Sequence, residues 1–291
     1  MRSIQRFLVG IAVSGCSLIA VALLLLGNAS PSRAEEACVS LTGTAQQGGM
    51  LWGQVALGST VALDDQSVPV LPDGRFALGL GRNAPSKMTL VVNGPELCVQ
   101  TLFVASRDYR IQRVEGVPQQ TVTPPPELQE RLARERKLVR EAKARRIARP
   151  DFLLAVQQGM SWPVLGPISG VYGSQRVYNG TPGNPHYGVD IAVPTGTAVR
   201  APAPGIVTLA EPDLFYSGGT VILDHGYGLS SSFLHMSAVA VRVGDELAAG
   251  DVVGKVGATG RATGPHLDWR MAWLSERIDP QLLVPPMPKG S

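Results

Sequence analysis

The chain has 291 residues, with 33 Gly, 23 Pro and only 5% aromatic residues. Its length allows two modest domains, and its composition suits short strands and turns better than a helical bundle. The formal charge is +3, but Arg2, Arg6 and Arg33 lie in a leader expected to be removed, so 23 basic residues would face 23 acidic ones. A near-neutral chain gives no case for nucleic-acid binding.

Residues 1–34 read as a secretory signal. Arg2 and Arg6 form a basic start, residues 7–26 are apolar, and Ser32-Arg33-Ala34 places small residues before a cleavage point at Glu35. The apolar run is nearly membrane-spanning in length, so an uncleaved N-terminal membrane anchor is the alternative. Val13-Ser14-Gly15-Cys16 also has the form of a lipobox, although the apolar run continues past it. Each version exports the rest of the chain, to the periplasm or cell envelope of a bacterium. Cys38 and Cys98 are then an even pair flanking one strand-rich segment, which suits a disulfide. With no cysteine beyond Cys98, a metal site in the C-terminal half must use His, Asp or Glu.

Residues 35–117 predict a small β domain. Its strand runs include Leu51-Trp52-Gly53-Gln54-Val55, Ser59-Thr60-Val61-Ala62-Leu63 and Met88-Thr89-Leu90-Val91-Val92. Pro72-Asp73-Gly74 and Asn93-Gly94 mark turns. The segment has no histidine and no catalytic cluster, so its expected role is structural or binding. Residues 118–160 form a Pro-rich and charged connector. Pro124-Pro125-Pro126 stops the β pattern, and residues 127–149, with nine basic and four acidic side chains, predict a solvated helix ending before Pro150. Residues 161–285 return to short β runs with glycine punctuation.

All four histidines, His186, His225, His235 and His266, fall in this last segment. In a strand, residues two apart share a face, so His186, Gly188 and Asp190 line up on one face and His266 and Asp268 on another. Each pair is a hydrogen-bonded His–carboxylate or half of a metal site, and spacing alone does not decide between them. A catalytic zinc needs three protein ligands and an open position, which two such strands supply only if the fold brings them together. His235, in Phe233-Leu234-His235-Met236, is compatible with a strand end. His225, in Asp224-His225-Gly226-Tyr227-Gly228, reads as a structural residue in a turn.

The segment resembles the lysostaphin/LytM-type zinc metallopeptidases that cut peptidoglycan. His186-Tyr187-Gly188-Val189-Asp190 is similar to the family's H-x-x-x-D segment, and Pro194-Thr195-Gly196-Thr197-Ala198-Val199 and Ala203-Pro204-Gly205-Ile206-Val207 to the strands after it. Leu234-His235-Met236-Ser237 resembles its H-L-S segment, Gly244-Asp245 and Gly250 its later turns, and the run from Gly257 to His266 the approach to its H-x-H motif. The resemblance implies a mainly β protein, with an antiparallel β-sheet peptidase domain behind the small β domain and the helical connector. It implies Zn2+ held by His186 and Asp190, with His235 and His266 as catalytic histidines. The third ligand of the family is the second histidine of H-x-H, and here that position is Asp268. Aspartate is a legitimate zinc ligand, but two carboxylates and one imidazole neutralise the dication and acidify its water less. The function implied is an exported zinc endopeptidase acting on stem or cross-link peptides of peptidoglycan. The alternative is a non-catalytic module that binds peptidoglycan or activates other cell-wall hydrolases. A biotinyl- or lipoyl-carrier reading fails, because Lys255, the only lysine in residues 151–288, lies inside a strand run.

Overall fold

The structure is a computed structural model that describes residues 39–114 and 128–288. The predicted leader, Cys16, Cys38 and the Pro124-Pro125-Pro126 break lie outside the described residues. Cys98 is disulfide-bonded. No helix among the described residues is long and apolar enough to cross a membrane.

The N-terminal part contributes β1 (Leu41–Gly43), β2 (Met50–Gln54), β3 (Thr60–Leu63), β4 (Gln66–Val68), β5 (Arg75–Gly79), β6 (Lys87–Asn93), β7 (Leu97–Phe103) and β8 (Ile111–Val114). They form one sheet ordered β1-β2-β5 and another ordered β4-β3-β6-β7. Two helices follow, α1 (Gln129–Ala144) and α2 (Pro150–Gln158). Then come β9 (Ile168–Gly170), β10 (Gln175–Tyr178), β11 (Thr181–Pro182), β12 (Gly188–Ile191), β13 (Ala198–Arg200), β14 (Gly205–Leu214) and β15 (Gly218–Asp224). The chain closes with β16 (Leu229–Met236), β17 (Ala238–Val239), β18 (Glu246–Leu247), β19 (Val252–Lys255), β20 (Leu267–Trp273) and β21 (Glu276–Ile278).

The central sheet is antiparallel, ordered β18-β14-β15-β16-β20-β12-β9, with β21 also on β20. β20 shows why its sequence takes this place. Leu267, Trp269, Met271 and Trp273 alternate to one face and are all at most 1% exposed, which fixes the register, because a slip of one residue would turn them outward. Trp162 packs edge-on against Trp269. Val189, Ile191, Val221, Leu223 and Phe233 complete this core. The opposite face carries Asp268, Arg270 and Ala272.

The helical connector differs from its sequence reading in two ways. First, α1 is docked rather than solvated. Ala142 packs with Leu209, Leu214 and Ile222, and both carboxylate oxygens of Glu135 accept from the Phe215 backbone N–H, at 3.1 and 3.0 Å. Second, α1 ends before Pro150 as expected, but Pro150 also opens a second helix. A proline at the first helical position loses no hydrogen bond, and Arg149 before it is held out of the helical region, at φ −117° and ψ 89°. The apolar spacing of Phe152, Leu153 and Val156 then buries one face of α2.

His225 is structural, as the sequence predicts. It is fully buried, its Nδ1 donates to the Pro204 carbonyl at 2.7 Å, and its Nε2 accepts from the Ser231 hydroxyl at 2.8 Å. Burial lowers its pKa to about 4. Burial raises that of neighbouring Asp224 to about 6, against the Gly226 N–H that its carboxylate accepts.

Two predictions follow from these contacts. Glu135→Ala removes the acceptor of the Phe215 N–H and should cost about 1–2 kcal/mol at the α1 contact. Faster tryptic cleavage within α1 is the expected result, and an unchanged rate contradicts the docked helix. For the buried pair, the depressed His225 pKa makes its contribution complete above pH 6.5 and lost as pH falls towards 4. The raised Asp224 pKa works in the opposite sense, its contribution being lost as pH rises from 3.8 through 6. Each is worth about 3 kcal/mol at 1.36 kcal/mol per pKa unit, so the two offset. Relative to wild type, His225→Gln should therefore be more destabilising at pH 7 than at pH 4, by about 3 kcal/mol. Equal differences at the two pH values in urea unfolding would contradict this.

Candidate active site

β12 and β20 bring the two predicted faces together. Their register sets Asp190 directly opposite Asp268 and Gly188 opposite Arg270. His186 Nε2 lies 3.2 Å from Asp190 Oδ1. Both atoms are buried and neither has a hydrogen-bond partner. Donor atoms of His186, Asp190 and Asp268 all fall within 4.8 Å of one another. Orphaned buried polar atoms are costly unless something not yet counted satisfies them. A nitrogen and carboxylate oxygens at such separations suit a zinc-type cation, so the residues fit the metal that the sequence resemblance implies.

The two remaining predicted histidines flank this cluster. His266 Nε2 is 3.9 Å from Asp190 Oδ1, and His235 Nε2 is 4.0 Å from Asp268 Oδ2. Their ring centroids are 4.9 Å apart. Each ring is fixed from behind, with His235 Nδ1 on the Thr259 carbonyl at 2.9 Å and His266 Nδ1 on the Gly264 carbonyl at 2.8 Å. A carbonyl only accepts, so both Nδ1 atoms carry the proton, and in the neutral rings both Nε2 atoms are free to accept one. His235, next to last in β16, has φ +64°, a left-handed conformation rare for a side chain of this kind, held by its N–H to the Ser217 carbonyl at 2.8 Å. Burial lowers its pKa below the usual histidine value.

Arg270 belongs to the site, and the sequence reading passed over it. Its Nε donates to both Asp268 oxygens at 3.0 Å and its Nη2 to Oδ2 at 2.5 Å. Burial alone would push the Asp268 carboxyl up. The Arg270 guanidinium outweighs it and holds the group below the usual carboxylate range. The two-apart rule that joins His266 to Asp268 reaches Arg270 in one more step. Gly188 lies opposite Arg270 in the strand pair. It leaves room for the side chains opposite, since a Cβ there would lie 2.6 Å from Arg270 Cγ and 2.7 Å from Asp268 Oδ1.

Gly188→Ala should therefore displace the Asp268–Arg270 pair. The expected results are a loss of about 1–3 kcal/mol of stability and metal binding weakened by about tenfold or more. Chelator competition measures the second, and unchanged metal affinity would contradict the assigned packing.

The profile of peptidase family M23 matches residues 184–280. The DD-carboxypeptidase/endopeptidase Mpg of Neisseria meningitidis is 36% identical over 104 residues, covering 36% of this chain and 24% of that protein. The peptidoglycan DD-endopeptidase ShyA of Vibrio cholerae is 37% identical over 87 residues, covering 30% of this chain and 20% of that protein. The matched region thus spans about a quarter or less of these curated relatives. A crystal structure from Pseudomonas aeruginosa assigned to peptidase M23 is 30% identical with a TM-score of 0.63, covering 82% of this chain and 94% of that one. Similarity of that extent is not confined to the histidine motifs, and the chain belongs to peptidase family M23.

Proposed function

We propose that this protein is an exported, zinc-dependent endopeptidase that hydrolyses peptide bonds in the stem or cross-link peptides of peptidoglycan. The carrying observation is the pair of orphaned donors, His186 Nε2 and Asp190 Oδ1, 3.2 Å apart, with Asp268 in reach. The substrate class is that named for the relatives Mpg and ShyA. Export to the periplasm or cell envelope is supported by the sequence of residues 1–34 and by a disulfide at Cys98, a bond that persists in oxidising compartments.

In this reading His186, Asp190 and Asp268 hold the ion. Zinc, when bound, supplies a Lewis acid and an acidified water. His235 and His266 handle the proton. Both keep Nδ1–H on a backbone carbonyl and turn Nε2 towards the donor cluster, so one can accept a proton from water. A ring so protonated can donate to the oxyanion that forms on the peptide carbonyl. Arg270 answers the charge problem raised by Asp268. Counted with the three donors, its guanidinium leaves one net negative charge, the same as two imidazoles and one carboxylate. The pairing also leaves Asp268 Oδ1 with a single Arg270 contact, so lone pairs remain for a cation.

Incubation of the purified protein with isolated peptidoglycan tests the proposal. Cross-linked muropeptides should be opened, chelation should abolish this, and zinc should restore it. His266→Ala should lower the rate by at least about 10²-fold with metal content unchanged. No muropeptide release at any pH from acid to mildly alkaline, by protein carrying one zinc per chain, would overturn it.

A further inference from the structure

The small β domain reaches the donor cluster through the backbone of His186. That residue lies two positions before β12, outside any strand. Two hydrogen bonds hold it there. Its N–H donates to the Ser174 carbonyl at 2.8 Å, and its carbonyl accepts from the Gly173 N–H at 2.7 Å. His235 and His266 each keep a ring nitrogen on a backbone carbonyl. Among the described residues, no such bond holds the His186 ring, and its Nε2 has no hydrogen-bond partner. The place of this imidazole therefore depends on where Gly173 and Ser174 hold its backbone.

Gly173 is held in turn by side chains from the N-terminal part. Arg82, which follows β5, donates from Nε to the Gly173 carbonyl at 2.9 Å and from Nη2 to the Gln175 side-chain oxygen at 3.4 Å. A guanidinium on a carbonyl is a charge-assisted bond, stronger than a neutral one. The Arg82 guanidinium lies 4.3 Å from the centre of the Tyr109 ring, and the Tyr109 hydroxyl donates to the Arg82 carbonyl at 3.3 Å. The same ring closes on Gly173, where a Cβ would strike it. Gln175 carries the hold onward. Its N–H donates to the Arg110 carbonyl at 3.0 Å, and its Nε2 donates at 2.7 Å to the carbonyl of Gly183, three residues before His186. Arg82, Tyr109 and Gly173 all lie outside the region that the family profile matches. A metal ligand must be kept within about 0.5 Å of its working geometry by the groups behind it. For His186, those groups lead back to Arg82 and Tyr109.

We propose that Arg82 is a positioning residue for the metal ligand His186, acting through the Gly173 carbonyl, and that the small β domain is thereby a working part of the metal site. This rests on the reading of His186, Asp190 and Asp268 as the zinc ligands. Zinc affinity of the full chain, measured by chelator competition, is the readout. Arg82→Met removes the donors and keeps an apolar stem, and it should weaken zinc binding about tenfold. Arg82→Gln keeps an N–H at the position of Nε, since both nitrogens are bonded to Cδ, and should stay within about threefold of wild type. Tyr109→Leu removes the ring that braces both Arg82 and Gly173, and it should weaken zinc in the same direction as Arg82→Met. The visible spectrum of the Co2+-loaded protein reports ligand geometry, and Arg82→Met should alter it at saturating metal. An Arg82 that only joined the two parts of the chain would lower the melting temperature of the metal-free protein and leave both zinc affinity and the spectrum as they are.

Wild-type zinc affinity in Arg82→Met, or in Tyr109→Leu should Arg82→Met not fold, overturns the proposal. So does an Arg82→Gln protein as weak as Arg82→Met, because the bond to Gly173 would then not be the cause. The readout needs no turnover. A wild-type chain that binds no zinc overturns both this assignment and the metal reading beneath it. Equal binding by wild type and all three variants overturns the assignment alone.

Discussion

The buried ion pair between Asp268 and Arg270 decides what the rest of this site can be. Asp268 sits at the centre of the sheet with its side chain 3% exposed, directly across the strand pair from Asp190. Two carboxylates facing each other across a ladder repel, and burial makes the repulsion worse. Left alone, such a pair favours protonation of one partner. Arg270 prevents this with three contacts on the same carboxylate. Breaking such a pair leaves an uncompensated buried charge, which is far more costly than the pair is stabilising. The neighbours are arranged accordingly. Gly188 gives the pair room, and Gly170 does the same for the Asp190 carboxylate, which a Cβ there would strike.

The scaffold holds these groups through one strand read on its two faces. The odd residues of β20 lock it into the core, so the even ones are presented in a fixed order, Asp268 then Arg270, to the face used for chemistry. The histidines come from less regular places. His235, next to last in its strand, is in a left-handed conformation, His266 precedes β20, and each ring is fixed by a carbonyl of the loop between Gly257 and His266. The two histidines are thus set by backbone contacts, while Asp190, Asp268 and Arg270 are set by the sheet. The helix α1 packs on the same face of the sheet, over Leu209 and Ile222.

Much of this was legible in the sequence. Four ordered motifs identified the family and the mainly β fold, and strand runs around Leu51, Val61 and Leu90 overlap β2, β3 and β6. The two-residue period placed His186 with Asp190 and His266 with Asp268. What stayed hidden depends on the third dimension. Nothing local says that β8 pairs in parallel with β10, more than sixty residues later. The helix read as solvated because its composition is so basic, yet a few contacts at Leu132, Glu135 and Ala142 are enough to dock it. Arg270 was missed for a different reason. It obeys the same periodicity as Asp268, but an arginine is no metal ligand, so a search for ligands passes over the residue that holds the Asp268 carboxylate.

The most direct test of the account is a crystal structure of the zinc-soaked protein. It should show His186, Asp190 and Asp268 on one ion, with an Asp268 oxygen at about 2.0–2.2 Å and Arg270 still bonded to the carboxylate. An ion held by His186 and Asp190 while Asp268 stays wholly with Arg270, or no ion at all, would contradict it.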